Sequence, residues 1–264
     1  MASATHHPDR PALVRRLRAA GCVFAEDEAE LLIAAADSPV ALAALADRRI
    51  AGEPLEHLLG WAEFDGLRVA VDPGVFVPRR RTALLVRAAA QRAAPDPAMV
   101  ELCCGTGAAT LALAPLVRPR WAAAVDVDPA AVACARRNLA PLGVEVYAGD
   151  LFDPVPVSWR GRLDLVVANA PYVPTDAVAL LPPEARLHEA PVALDGGPDG
   201  LAVLRRVAAG AARWLAPGGH LVVEASVGQA PTLCAVLTGQ GLTPTVLHDD
   251  ELGATAVAAR RGPG

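Results

Sequence analysis

A chain of 264 residues, 53% of them hydrophobic and 20% charged, is too apolar for an intrinsically disordered protein and long enough for a catalytic domain with a small extra one. Its net charge of −5 argues against a general nucleic-acid binder, which presents a basic field to the phosphates, so no direct nucleic-acid binding is expected. No stretch free of Pro, Gly and charge is long enough to span a bilayer, and residues 1–10 lack the apolar core of a secretory signal; a cytoplasmic protein with no membrane partner is expected.

Every basic residue is an arginine and much of the apolar share is alanine, a compositional bias from which no mechanism follows. The five cysteines, Cys22, Cys103, Cys104, Cys134 and Cys234, are scattered without Cys-x-x-Cys spacing, and His6 and His7 have no ligand spacing with them. The thiols read as reduced and mostly buried, and no metal site is expected.

Residues 11–50 carry helical punctuation. Apolar periodicity runs through Leu13, Leu17 and Ala20, a second run covers 29–36, and Ser38-Pro39 opens a third, because serine caps a helix and proline suits its first turn. Residues 1–62 are therefore assigned to a small helical N-terminal domain. Over 63–78 the pattern changes to alternation, with Asp65-Gly66 and Asp72-Pro73-Gly74 bracketing Leu67, Val69 and Val71, the signature of a β-hairpin linker. From 79 to 264 strand-like and helical segments alternate with short turns, which predicts a doubly wound α/β domain with a mostly parallel seven-stranded sheet. Strands are read at 99–103, 122–127, 144–147, 163–168, 220–224, 242–247 and 255–259, and helices at 108–117, 130–139, 201–214 and 231–239. The His248-Asp249-Asp250-Glu251 turn is too short for a crossover helix, so the last two strands pair antiparallel. A dinucleotide fold does not ordinarily end that way.

Three successive strand ends carry candidate ligand groups. The first strand runs through Glu101 and Cys103 into Gly105 and Gly107 before a helix, which suits either a tight turn or close backbone approach to a ligand. The full G-x-G-x-x-G pattern is absent, which weakens a pyrophosphate reading. The second strand ends Asp126-Val127-Asp128-Pro129. Asp126 is placed to accept two ribose hydroxyls, whereas Asp128 reads as the cap of the next helix. The third ends Gly149-Asp150-Leu151-Phe152, where Asp150 suits the exocyclic amine of adenine and Leu151 or Phe152 the ring face. Ligands of open α/β sheets bind outside such ends.

The fourth strand is apolar from Leu165 to Ala168 before Asn169-Ala170-Pro171-Tyr172. An Asx-turn under an aromatic lid is the bland reading. The chemical reading starts from a planar amide nitrogen, a poor nucleophile whose lone pair is delocalised. The Asn169 side-chain oxygen and the Ala170 carbonyl supply two acceptors for its N–H groups and aim it at a sulfonium methyl, Pro171 stiffens the turn and Tyr172 covers the planar group. S-adenosylmethionine is the expected cofactor, with Asn169 at the junction of cofactor and acceptor.

These residues carry a resemblance over nearly the whole chain: it is similar to the protein-(glutamine-N5) methyltransferases that modify peptide-chain release factors, the HemK/PrmC type. Matching positions include Arg49, Gly52-Glu53-Pro54, Leu59-Gly60, Phe64, Val77-Pro78-Arg79, the 101–107 turn, Asp126, Asp150, the 169–172 motif, Glu184, Glu189, Gly200-Leu201, Glu224 and Gln229. The resemblance implies a class I S-adenosylmethionine-dependent methyltransferase whose cofactor is held by Glu101, Cys103, Gly105, Gly107, Asp126, Val127, Asp150, Leu151 and Asn169. It implies a glutamine amide held by residues 169–172, a release factor as protein partner, substrate recognition by the helical domain, and a monomer. Ala170 stands where the family has a second proline, Arg80-Arg81-Thr82-Ala83 where it continues with acidic residues, and Ser226 in place of a glycine. The arginines read as a solvated helix start. Glu224 either orients the Asn169 loop or hydrogen-bonds a helix start.

Rival readings are a paralogue acting on a small molecule or another protein, a nucleic-acid adenine N6-methyltransferase, and a non-catalytic binding protein. The adenine enzyme would need a basic face or a target-recognition domain, and the binding protein would be expected to lose Asn169 or Tyr172.

Overall fold

A computed structural model describes residues 10–263; His6 and His7 lie outside them. The N-terminal segment folds as α1 (Arg10–Ala19), α2 (Ala25–Ala35), α3 (Pro39–Ile50) and the short α4 (Leu55–Leu59). Ser38 caps α3 by accepting a hydrogen bond from the Ala41 N–H at 3.1 Å, with Pro39 in the first turn. Leu13, Leu17, Ala29, Leu32, Leu42 and Ala46 bury one another in a core of their own.

Gly60, left-handed at φ 75°, ends α4, and the hairpin β1 (Trp61–Phe64) and β2 (Leu67–Ala70) follows, turning at Asp65-Gly66. The hairpin thus starts two residues before the expected boundary at 63, because a left-handed glycine stops the helix there. Phe64 and Val69 sink into the core of the following domain. The Asn138 side chain pins the hairpin by bonding both backbone groups of Ala70 at 3.0 and 2.9 Å.

Beyond the hairpin the elements are α5 (Ala83–Ala90), β3 (Ala98–Leu102), α6 (Ala108–Val117), β4 (Trp121–Asp126), α7 (Pro129–Leu139), β5 (Glu145–Ala148), β6 (Leu163–Ala168), α8 (Pro183–His188), α9 (Ala202–Trp214), β7 (Leu215–Glu224), α10 (Ala230–Gly239), β8 (Leu242–Asp249) and β9 (Ala254–Arg261). The seven-stranded sheet has the order β5-β4-β3-β6-β7-β9-β8, parallel except at β9, which runs antiparallel to both neighbours. The central strands are apolar on both faces. Met99, Leu165 and Val167 pack under α5 and α6, while Val100, Leu102, Val166 and Ala168 pack under α9 and α10. That period of two is what strands buried between helical layers require. β7 begins at Leu215 rather than at the expected His220, since it continues through Pro217-Gly218-Gly219 with a register shift against β6. Among the described residues, no helix is long and apolar enough to cross a membrane.

Candidate active site

The carboxyl ends of β3, β4, β5 and β6 open into one cavity of about 510 Å³, at the crevice where the sheet order reverses. At the β3 end the chain turns through positive φ at Cys103 (53°) and Gly105 (53°). Cys103 at β3 and Leu151 after β5 (φ 50°) are non-glycine residues in the left-handed region, and both line the cavity. Such strain persists where surroundings over-determine the backbone, as binding sites do.

Glu101 faces the α6 side of the sheet and accepts the Thr110 N–H at 2.8 Å. Burial pushes its pKa up to about 7, against the opposing pull of that hydrogen bond. The Asp126 carboxylate holds the first turn by accepting the Gly105 N–H at 2.8 Å and holds the α7 entry through the Asp128 N–H at 2.9 Å. Each Asp126 oxygen keeps a lone pair for a further donor. Asp128 caps α7 through the Ala130 N–H at 2.9 Å, as its position before Pro129 suggested. Val127 lines the cavity and is 53% exposed.

Gly107, expected among the cofactor-holding residues, does not line the cavity. It lies behind the cavity wall as the N-cap of α6 at φ 76°, and its N–H already donates to the Cys104 carbonyl at 2.7 Å. An added Cβ would lie 2.9 Å from Leu139 Cδ1, so packing against α7 requires this glycine. Phe152 is also not a ligand face, since it stacks on Trp214 with centroids 5.5 Å apart and leaves Leu151 to line the cavity. Asp150 forms an ion pair with Arg206 of α9, and both line the cavity.

Asn169, Ala170, Pro171 and Tyr172 all line the cavity beyond β6. Their loop is held from behind. Gln229 donates from Nε2 to the Tyr172 carbonyl at 2.8 Å and the Asp199 carbonyl at 3.1 Å, while its Oε1 accepts the Ser226 hydroxyl at 2.8 Å. Ser226, a departure from the family pattern, thereby steadies Gln229. Glu224 collects three donors: the Tyr172 hydroxyl at 3.0 Å and Arg81 Nε at 2.9 Å on Oε1, and the Thr82 hydroxyl at 2.7 Å on Oε2. Asn169 Nδ2 in turn donates to Thr82 Oγ1 at 3.3 Å. Glu224 therefore orients the Asn169 loop and also anchors the start of α5. Burial first, then the Glu224 charge, pushes the Tyr172 hydroxyl up to about 12, so it stays protonated.

The arginine triple does not behave as one solvated face. Arg79 pairs with the buried Glu189 at 2.5 Å and Arg81 reaches Glu224 with its guanidinium 5.9 Å above the Tyr172 ring, although its side chain stays 43% exposed, and Arg80 is exposed without a partner carboxylate among the described residues. From the helical segment, buried Arg49 binds Glu28 at 2.6 Å and Glu184 of α8 at 2.5 Å. Leu181, Glu184 and Ala185 line the cavity, so α3 braces that part of its wall. Sequence reading had assigned no role to Thr82, Arg206 or Gln229. They stand far from the motifs along the chain, and only folding brings them to the strand ends.

The donor and acceptor set suits S-adenosylmethionine. Carboxylates at two strand ends are acceptors for hydroxyls and an amine. The methyltransferase small domain model matches residues 66–206. The chain is 37% identical to a release factor glutamine methyltransferase of Geobacter sulfurreducens over 82% of this chain and 76% of that one. It is 45% identical to that of Mycolicibacterium smegmatis over 75% and 72%. A 4-amino-L-phenylalanine/4-methylamino-L-phenylalanine methyltransferase of Streptomyces pristinaespiralis is 36% identical over 74% and 68%. Among solved structures, the 16S rRNA N2 G1207 methyltransferase of T. thermophilus in complex with AdoMet and guanosine shares the fold, with TM-score 0.53 and 21% identity over 76% of this chain and 49% of that one. The chain is a methyltransferase that uses S-adenosylmethionine, and it belongs to the release factor glutamine methyltransferase family.

Proposed function

We propose that this chain methylates the side-chain amide nitrogen of a protein glutamine, in the exposed Gly-Gly-Gln loop of a peptide-chain release factor. The observation that carries this reading is the Asn169 amide, tied through its nitrogen to Thr82 beside the Ala170 carbonyl in the cavity wall. That leaves Asn169 Oδ1 and the Ala170 carbonyl as two acceptors for the two N–H groups of a primary amide. Bound S-adenosylmethionine supplies a methyl group made electrophilic by its sulfonium. Glu101, Asp126, Asp150 and Leu151 would hold it, and Asn169 and Ala170 would hold the amide with its lone pair aimed at the methyl carbon. The methyl would pass from that sulfonium to the amide nitrogen held by Asn169 and Ala170, and the nitrogen would give up its proton to water. No strong base is needed, in keeping with a Tyr172 hydroxyl held near 12.

The acceptor wall favours a protein substrate. Val192 lines it at 50% exposure, Leu180 and Leu187 of the same segment are 85% and 62% exposed, and Arg49 ties it to the helical domain. A partner with surface beyond the reacting amide can use such contacts for positioning. The relative that acts on a free aromatic amine, together with Arg81 beside Tyr172, gives a second reading in which a small amino acid is the acceptor. Mass spectrometry of release factors and of free amino acids, each incubated with enzyme and cofactor, separates the two. One methyl group on the loop glutamine supports the first, and modification of the free amino acid alone supports the second.

A further inference from the structure

We propose that Thr82 is a positioning residue that decides which end of the Asn169 amide faces the methyl acceptor, and that Glu224 imposes this choice on Thr82. The proposal rests on the reading of Asn169 as an acceptor for the substrate amide.

Hydrogen-bond polarity fixes the Asn169 amide through Glu224 and Thr82. Glu224, at the end of β7, is 3% exposed and accepts from Arg81, Tyr172 and Thr82. A carboxylate has no proton to give, so every partner must donate. Thr82, 6% exposed, has one hydroxyl hydrogen, and at 2.7 Å from Oε2 that hydrogen is committed to Glu224. Toward Asn169 the hydroxyl can offer only a lone pair. The Asn169 amide must therefore turn its Nδ2 to Thr82, at 3.3 Å, and its Oδ1 away from it. The reversed amide would set oxygen against oxygen at Thr82 and present N–H groups to a substrate that itself brings N–H groups. With an apolar residue at position 82 neither orientation is excluded, and the productive one loses its preference. The polarity of the acceptor site thus originates in a buried carboxylate two hydrogen bonds away.

The chain contains only two asparagines, Asn138 and Asn169, which makes the test direct. Selective labelling of the full-length protein with 15N-asparagine gives two side-chain amide pairs. Asn138, bonded to Ala70 and the Thr106 carbonyl, reports on the fold. Thr82→Val should shift the Asn169 pair, leave the Asn138 pair and cofactor affinity unchanged, and lower kcat by about tenfold to a hundredfold, the scale of a misoriented reacting group. Thr82→Ser should restore both the resonance and the rate. Glu224→Gln keeps the side-chain size but gives the Thr82 hydroxyl a donor to accept from, and it should shift the same pair and lower kcat. The proposal is overturned if Thr82→Val leaves the Asn169 pair unmoved or kcat within twofold of the parent while Asn169→Ala is inactive. If Thr82→Val moves the Asn138 pair as well, Glu224→Gln decides, and an unmoved Asn169 pair there overturns the proposal. If Asn169→Ala itself retains turnover, the underlying reading of Asn169 fails instead.

Discussion

Replacing Gly200 by alanine tests whether the loop that presents residues 169–172 is held as rigidly as its contacts suggest. Gly200 has φ 73°, and an added Cβ would lie 2.2 Å from the Tyr172 carbonyl oxygen and 2.3 Å from Gln229 Nε2. The left-handed conformation alone costs an alanine about 1–2 kcal/mol. The carbonyl must also move off Gln229, which forfeits a 2.8 Å hydrogen bond with a net value of about 1 kcal/mol. A loss of about 2–3 kcal/mol in chemical unfolding is therefore expected. Because the displaced carbonyl belongs to Tyr172, kcat should fall by at least tenfold while cofactor affinity changes little, since Gly105 and Asp126 are untouched. A variant as stable and as active as the parent would refute the reasoning, by showing that the loop adjusts without consequence.

Three other outcomes follow. Asp126→Ala should weaken S-adenosylmethionine binding by roughly 1–3 kcal/mol in calorimetry, since it removes a ligand acceptor and also frees the Gly105 N–H; unchanged affinity in a folded variant would remove Asp126 from the site. Arg49→Met should destabilise the fold by about 3 kcal/mol by leaving buried Glu28 without its cation, and should raise KM for the protein substrate more than the cofactor Kd, which binding and kinetic assays separate. Glu101, with a usual value near 4.5 raised by burial to about 7 in the fold, binds more protons folded than unfolded between those values. Its contribution to stability is therefore full below about pH 4.5 and is lost as pH rises through about 7. Glu101→Gln should gain about 2 kcal/mol relative to the parent between pH 5 and 7 in unfolding titrations, and parallel pH profiles would contradict this.

The sheet was legible because its strands are short apolar runs between turn residues, and β6 (Leu163–Ala168) and α6 (Ala108–Val117) lie where the sequence placed them. The three candidate strand ends stood out for a topological reason, since ligands of open parallel sheets bind outside the carboxyl ends of the strands. Spacing alone cannot distinguish a glycine that approaches a ligand from one that, like Gly107, is left-handed and packs close to Leu139. The start of α5 was legible at 80–83, but that the Thr82 hydroxyl turns to Glu224 instead of capping the helix was not, since Glu224 lies 142 residues away. The ion pair that the exposed Arg81 makes with Glu224 was hidden for the same reason. A charge run reads as solvated unless its buried counter-charge is known, and Glu224 is remote in the chain.

The central claim is that residues 169–172 present a protein glutamine for methylation. Mass spectrometry of a purified, intact release factor after incubation with this protein and S-adenosylmethionine tests it most directly, with Asn169→Ala run in parallel. One added methyl group on the glutamine of the Gly-Gly-Gln loop is expected with the parent protein, and none with Asn169→Ala at equal cofactor occupancy. An unmodified release factor alongside efficient methylation of a free amino acid, or Asn169→Ala turnover within about tenfold of the parent, a difference of only about 1.4 kcal/mol in barrier, would contradict it.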